Sequence, residues 1–225
     1  MKFIIDDANV EAIRRLVDYY PIDGVTTNPS ILAKSGRQPF DVLKEIRSII
    51  GPEKELHAQV TATDAEGMIA DGRRIAAELG PNTFAKVPSV PEGFKAMKAL
   101  VAEGIPVTAT AIYTPMQAFI AAKCGASYAA PYVNRIDNMG YNGIAVSKQI
   151  HDIFEVNGLA CEVLAASFKN SQQVLELTQY GVGACTIASD VIDGLVKNAA
   201  IDAAVDAFTA DFEGLVGAGR TMADC

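Results

Sequence analysis

The sequence predicts a single eightfold (β/α)8 TIM-type barrel of the α/β class, with an additional C-terminal helix. Three observations predict it. Eight short apolar or β-branched runs recur along the chain, and amphipathic segments of helical period lie between them. The repeat averages about 28 residues, close to what one (β/α) unit of a roughly 250-residue barrel consumes. With 225 residues, 50% of them hydrophobic, the chain can bury one such core, so residues 1–225 are expected to form one domain.

The runs fall at residues 3–6, 24–27, 57–61, 84–88, 107–113, 128–135, 163–167 and 184–189. The first is followed by Val10, Ile13, Leu16 and Val17 at helical spacing, with Asp7 as the expected N-cap and Glu11 favourably placed in the first turn. After the second, Asn28-Pro29 has the form of a cap followed by proline at the first helical position. Phe94, Met97, Leu100 and Val101 give the helix after the fourth run, and Asn170 opens the helix of Val174 and Leu177 after the seventh. Gly80-Pro81, Gly104-Ile105-Pro106 and Gly181-Val182-Gly183 stand where helices must turn into the next strand. Residues 201–216 form a last amphipathic helix before a Gly-rich tail, and it is expected to pack outside its own barrel. An open doubly wound sheet shares this alternation, but no GxGxxG follows the first run, which argues against a dinucleotide site.

A formal net charge of −8 offers no basic stripe for nucleic acid or an anionic membrane, although a local cationic pocket can still hold a phosphate. No apolar run reaches the length of a signal core or a membrane span, so a cytoplasmic location is expected. Cys124, Cys161, Cys185 and Cys225 are irregularly spaced and read as reduced thiols. His57 and His151 form no metal-binding pattern, so no metal site is expected and chemistry is sought elsewhere.

In a barrel, reactive groups come from the C-terminal ends of several strands. Polar residues that strand propensity does not explain there are Asp6, Thr26, Asn28, Gln59, Lys86, Thr110, Tyr132, Arg135 and Ser167. Lys86 is the most informative, because Phe84-Ala85-Lys86-Val87-Pro88 puts an ammonium inside an apolar strand, where burial favours the neutral amine. A neutral amine attacks a carbonyl, and the resulting iminium lets a neighbouring carbon–carbon bond break or form. A lysine reaching from the strand end to solvent is the plainer alternative. Asp6 suits proton relay to a substrate hydroxyl, or else orients amides or pairs with Lys86. Asn28 either caps a helix or also holds a ketose hydroxyl. Gln59, Thr110 and Tyr132 can fix a proton-shuttling water if they converge, and are otherwise core polar groups. Arg135 is a phosphate clamp or the ion-pair partner of Asp137, and Ser167 a phosphate ligand or a turn serine.

Five stretches carry a resemblance that runs nearly end to end. They are Gly24-Val25-Thr26-Thr27-Asn28-Pro29-Ser30, Ala85-Lys86-Val87-Pro88, Glu103-Gly104-Ile105-Pro106, Ala130-Pro131-Tyr132-Val133-Asn134-Arg135-Ile136-Asp137 and Leu164-Ala165-Ala166-Ser167-Phe168-Lys169. Here the sequence resembles the small transaldolase and fructose-6-phosphate aldolase family. The resemblance implies a (β/α)8 barrel, a Schiff base at Lys86 with a dihydroxyacetone-type donor, and no cofactor. It implies proton transfer by Asp6, a donor site lined by Thr26 and Asn28, and a phosphate held by Arg135 and Ser167. It also implies an exchanged C-terminal helix, residues 201–225, and hence a homo-oligomer such as a pentamer or decamer. Transaldolases of the family commonly carry Glu at Gln59 and Phe at Tyr132, so these two residues resemble the aldolase pattern. Asp7 replaces a usual threonine, and Thr108 stands where the aldolase branch often has an apolar residue. The expected activity is cleavage of fructose 6-phosphate to dihydroxyacetone and glyceraldehyde 3-phosphate. Transfer of dihydroxyacetone between sugar phosphates is the near alternative, and a non-catalytic binding barrel the distant one.

Overall fold

The computed structural model describes residues 1–225. Strands and helices alternate as β1 (Lys2–Asp6), α1 (Val10–Tyr19), β2 (Gly24–Thr26), α2 (Pro29–Lys34), α3 (Pro39–Ile50), β3 (Glu55–Gln59), α4 (Ala65–Leu79), β4 (Thr83–Pro88) and α5 (Pro91–Ala102). They continue as β5 (Val107–Ile112), α6 (Pro115–Lys123), β6 (Tyr128–Pro131), α7 (Val133–Asn138), α8 (Gly143–Val156), β7 (Glu162–Ala165), α9 (Ser171–Tyr180), β8 (Ala184–Ile187), α10 (Ser189–Val196) and α11 (Ala199–Val216). Every strand pairs in parallel with its sequence neighbours, and β8 pairs back onto β1, so the sheet closes. Closure decides for the barrel over the open sheet.

The period of two along each strand divides the side chains between two cores. On β1, Ile5 joins the large layer between strands and helices, with Val25, Leu56, Val87 and Ala109. Ile4 instead faces the barrel interior with Tyr128, Ala130, Leu164 and Ala184. That interior is unusually polar toward its N-terminal end. Glu55 accepts from Lys2 Nζ at 2.5 Å and from the Tyr128 hydroxyl at 3.1 Å, and it lies 3.3 Å from His57 Nε2. His57 in turn stacks on Phe84 with ring centroids 4.5 Å apart. The isolated histidines of the sequence therefore include one that is wholly buried in a packed polar plug.

Helix signals act as expected at Asn28, which caps α2 by accepting from Ile31 N, and at Asn170, which caps α9. Gly93 is required for close approach, since a Cβ there would lie 1.9 Å from the Pro88 carbonyl oxygen. Its absence lets α5 seat against the end of β4.

Three sequence expectations are corrected. The cap of α1 is Asn9, whose side chain accepts from Glu11 N and Ala12 N; Asp7 instead accepts from Ala8 N, Asn9 N and Ser189 Oγ, closing the β1–α1 loop onto α10. The sixth run ends as a strand at Pro131, so Arg135 lies on α7 and not at a strand end. The reason is local: Tyr132 N still reaches the Ile112 carbonyl, after which residues 133–138 turn into a helix. Arg135 also does not pair with Asp137, because that carboxylate accepts from Gly143 N and Gln173 Nε2 and its guanidinium lies over the Tyr132 ring instead.

The last helix stands apart. None of the residues of α11 is buried, and Ile201, Val205, Phe208 and Leu215 are exposed apolar side chains on it.

Candidate active site

Register places the central group. Lys86 pairs with Gln59, the last residue of β3, and with Thr108 near the start of β5. Only 5% of Lys86 is exposed, and its Nζ donates to the Thr27 carbonyl at 2.8 Å. Burial pushes the amine below its ordinary range; the Asp6 charge opposes the shift and Arg135 reinforces it. Such a lysine is neutral in a larger share of molecules than a surface one, which is the condition for attack on a carbonyl.

Asp6 closes β1, and its Oδ1 accepts from Thr26 Oγ1 at 2.8 Å. Burial raises this carboxyl above its ordinary range, while Lys86 and the Thr26 bond pull it down. The two groups are thus an amine biased toward neutrality and a carboxyl biased toward holding a proton, suited to sharing protons with a substrate. Thr26 is wholly buried, and its hydroxyl also lies 2.6 Å from Thr186 Oγ1. Its shown contacts orient Asp6.

On the other side of Lys86, Thr110 Oγ1 lies 2.8 Å from the Tyr132 hydroxyl. The Tyr132 ring is held on its face by the Arg135 guanidinium, 4.3 Å from the centroid, and is met edge-on by Tyr113 at 5.5 Å. Gln59, at the end of β3, borders a cleft of about 630 Å³ formed with Pro29, Phe40 and Arg74. Asp6 borders a second, of about 770 Å³, with Asn9, Lys34 and Ser189. The two clefts adjoin at Arg37, which lines both.

Arg135 and Ser167 are brought together by the backbone. Val133 N donates to the Ala166 carbonyl and Asn134 N to the Ser167 carbonyl at 2.8 Å, so the β6–α7 and β7–α9 loops are zipped side by side. Ser167 adopts φ +62°, a left-handed conformation rare outside glycine and concentrated at functional sites. Asn28 uses its side-chain oxygen as the α2 cap, leaving its amide NH2 able to donate to a hydroxyl.

Thr108, singled out as a departure, is fully buried and its hydroxyl lies 2.8 Å from His57 Nδ1. It faces the polar plug and not the mouth. Several contributors escaped the sequence reading. The Thr27 carbonyl that holds Lys86 is a backbone atom with no sequence signature. Thr186 was findable, since it alternates inward with Ala184 along β8. Tyr113 and Gln117 act through a local bulge that no period reveals.

A family model described as transaldolase/fructose-6-phosphate aldolase matches residues 3–222. The chain belongs to that family. It is 41% identical over 214 residues to a probable transaldolase of Hydrogenobaculum sp. (strain Y04AAS1), covering 95% of this chain and 97% of that one. A probable transaldolase of Geobacter sulfurreducens is 42% identical, with 95% and 98% covered, and one of Aquifex aeolicus is 40% identical, with 95% and 97% covered. Among solved structures, one titled native KDPGal superposes with a TM-score of 0.57 at 16% identity, covering 84% of this chain and 82% of that one. A mandelate oxidase mutant superposes with a TM-score of 0.57 at 17% identity, covering 85% and 67%. Both likenesses are of fold alone. The protein is an enzyme of the aldolase or transaldolase type, of a family that acts on sugar phosphates by lysine Schiff-base chemistry. No helix is long and apolar enough to cross a membrane.

Proposed function

We propose that this chain is a fructose-6-phosphate aldolase whose Schiff-base amine is Lys86. The observation that carries this reading is the Tyr132 hydroxyl bonded to Thr110 at 2.8 Å, on the strand next to Lys86. Lys86 adds to the C2 carbonyl of the ketose and water leaves, giving an iminium. Asp6 takes the proton of the C4 hydroxyl; the C3–C4 bond breaks, its electron pair passes to the iminium as an enamine, and the aldehyde departs. Tyr132, with a water held by Gln59 and Thr110, returns a proton to C3, and hydrolysis frees dihydroxyacetone and the amine. Asn28 and Thr26 serve the donor end, Asn28 by its free NH2 and Thr26 through Asp6. Arg135 and Ser167 hold the phosphate at the aldehyde end, for which an exposed guanidinium beside a strained serine is chemically suited.

Transaldolase activity is the second reading, favoured by the names of the relatives. The two differ in whether the enamine is protonated or waits for an aldehyde. Dihydroxyacetone release from fructose 6-phosphate, measured in chelator with and without erythrose 4-phosphate, separates them. Rapid release without acceptor supports the aldolase; turnover only with acceptor overturns it. The unburied apolar residues of α11 support a homo-oligomer in which this helix packs on a second copy. A monomeric mass by light scattering would refute that.

A further inference from the structure

We infer that Gln117 is a positioning residue that sets the Thr110–Tyr132 pair relative to the strand bearing Lys86. The inference rests on the reading of Tyr132 as proton donor. It starts from a defect in the sheet: β5 and β6 lose register between Ala109 and Ile112, and Ala111 there takes φ +56°. A non-glycine residue in that conformation persists only where its surroundings over-determine it.

The Gln117 side chain supplies that determination. Its Nε2 donates to the Ala111 carbonyl at 3.3 Å and to the Ser89 carbonyl at 3.2 Å. Its Oε1 accepts from Tyr113 N at 3.0 Å and from Thr114 N at 3.2 Å. One amide therefore joins the bulge on β5 to the residue that follows β4, three positions beyond Lys86. The neighbouring backbone completes the linkage: Ser89 N donates to the Thr110 carbonyl at 2.9 Å, and Tyr132 N to the Ile112 carbonyl at 3.1 Å. Thr110 and Ile112 flank Ala111. The residue before the bulge thus carries the hydroxyl that meets Tyr132, and the residue after it anchors the Tyr132 backbone. Tyr113, fixed by Gln117, presents its ring to the Tyr132 ring at 5.5 Å and 89°. A rotation at Ala111 moves both ends of the pair, and small misplacements at a reacting centre cost large factors in rate.

The competing role is a helix cap, since Thr114 and Gln117 form a capping box at the start of α6. Gln117→Glu separates the two, because glutamate serves a capping box as well as glutamine but cannot, when ionised, donate to the Ser89 and Ala111 carbonyls. The variant is compared with Thr114→Ala and Tyr132→Phe in thermal melting, borohydride trapping at Lys86, and the ratio of free dihydroxyacetone release to acceptor-dependent transfer. Expected for Gln117→Glu are parental melting and trapping with a roughly tenfold fall in that ratio at neutral pH. The ratio relative to parent begins to recover as pH falls toward about 4.3, the ordinary glutamate value, where a protonated carboxyl donates to one of the two carbonyls again. Thr114→Ala keeps the parental ratio. A parental ratio in Gln117→Glu, or the same deficit in Thr114→Ala, overturns the inference. If Gln117→Glu does not fold, the comparison moves to Gln117→Met, which keeps the side-chain length but donates to neither the Ser89 nor the Ala111 carbonyl. A folded Gln117→Met with a parental ratio overturns the inference equally. Tyr132→Phe with a shifted ratio beside parental Gln117→Glu removes the clamp alone, whereas parental ratios in both remove the Tyr132 reading as well.

Discussion

Replacing Glu55 by glutamine tests the polar plug that fills the barrel below Lys86. Glu55 accepts from Lys2 and Tyr128 and lies within reach of His57. Burial alone would raise this carboxyl, but the bonds from His57 and Lys2 and the Lys2 charge outweigh it and hold it down at about 2, against an ordinary 4.5. At about 1.36 kcal/mol per pH unit, that difference is worth at most roughly 3 kcal/mol of stability at neutral pH, reduced by solvent around the half-exposed Lys2. Because the folded value is depressed, the contribution is complete above the unfolded value and is lost as pH falls toward the folded one. At about pH 3.5, one unit below the unfolded value, roughly 1.4 kcal/mol of it has gone. Glu55→Gln removes the charge while keeping the shape, so parent and variant are expected to differ by about 2–3 kcal/mol at pH 7 and by about 1.4 kcal/mol less than that near pH 3.5. Urea unfolding followed by circular dichroism, at matched protein concentrations, reads this difference. A gap below about 0.5 kcal/mol at pH 7, or one that does not narrow in acid, would refute the assignment of stability to the plug. His57 adds to the same acid limb: burial lowers its pKa, so below the unfolded imidazole value of about 6.5 only the unfolded chain takes the proton.

Lys86→Met should abolish borohydride trapping while leaving the fold intact, and a mass-mapped adduct on another lysine would sink the assignment. Tyr132→Phe should slow free dihydroxyacetone release more than acceptor-dependent transfer; equal losses in both would count against the phenol. Arg135→Leu should raise KM for a phosphorylated aldehyde at least about tenfold while sparing an unphosphorylated one, so a uniform loss across both would point away from a phosphate contact. In Gly93→Ala, the added methyl meets the Pro88 carbonyl at 1.9 Å, and α5 must shift off β4. The expected cost is about 2–3 kcal/mol in urea unfolding, and an unchanged midpoint would contradict that packing.

What the sequence determined by itself was the eight strands and the polar residues at their ends. Eight runs separated by helical stretches specify eight strands, because a period of two and a period of 3.6 leave different marks on hydrophobicity. Lys86 was legible for a related reason: an ammonium among Phe84, Ala85, Val87 and Pro88 contradicts the pattern around it, and such contradictions mark functional sites. Local caps were less secure. Asp7 and Asn9 both satisfy the chemistry of an N-cap, and only the Asp7 bond to Ser189 on a distant helix leaves that role to Asn9. Tertiary structure decided closure, since parallel pairing of β8 with β1 joins residues at opposite ends of the chain. It also decided the partners. Thr26 was legible as a polar strand residue, but that its hydroxyl serves Asp6 and Thr186 depends on strands meeting around a circle. The Ala111 bulge, the Gln117 clamp on it and the Thr27 carbonyl under Lys86 involve backbone atoms that every residue possesses. A sequence records side chains; which backbone groups they find is settled only when the barrel closes and each buried donor must have an acceptor.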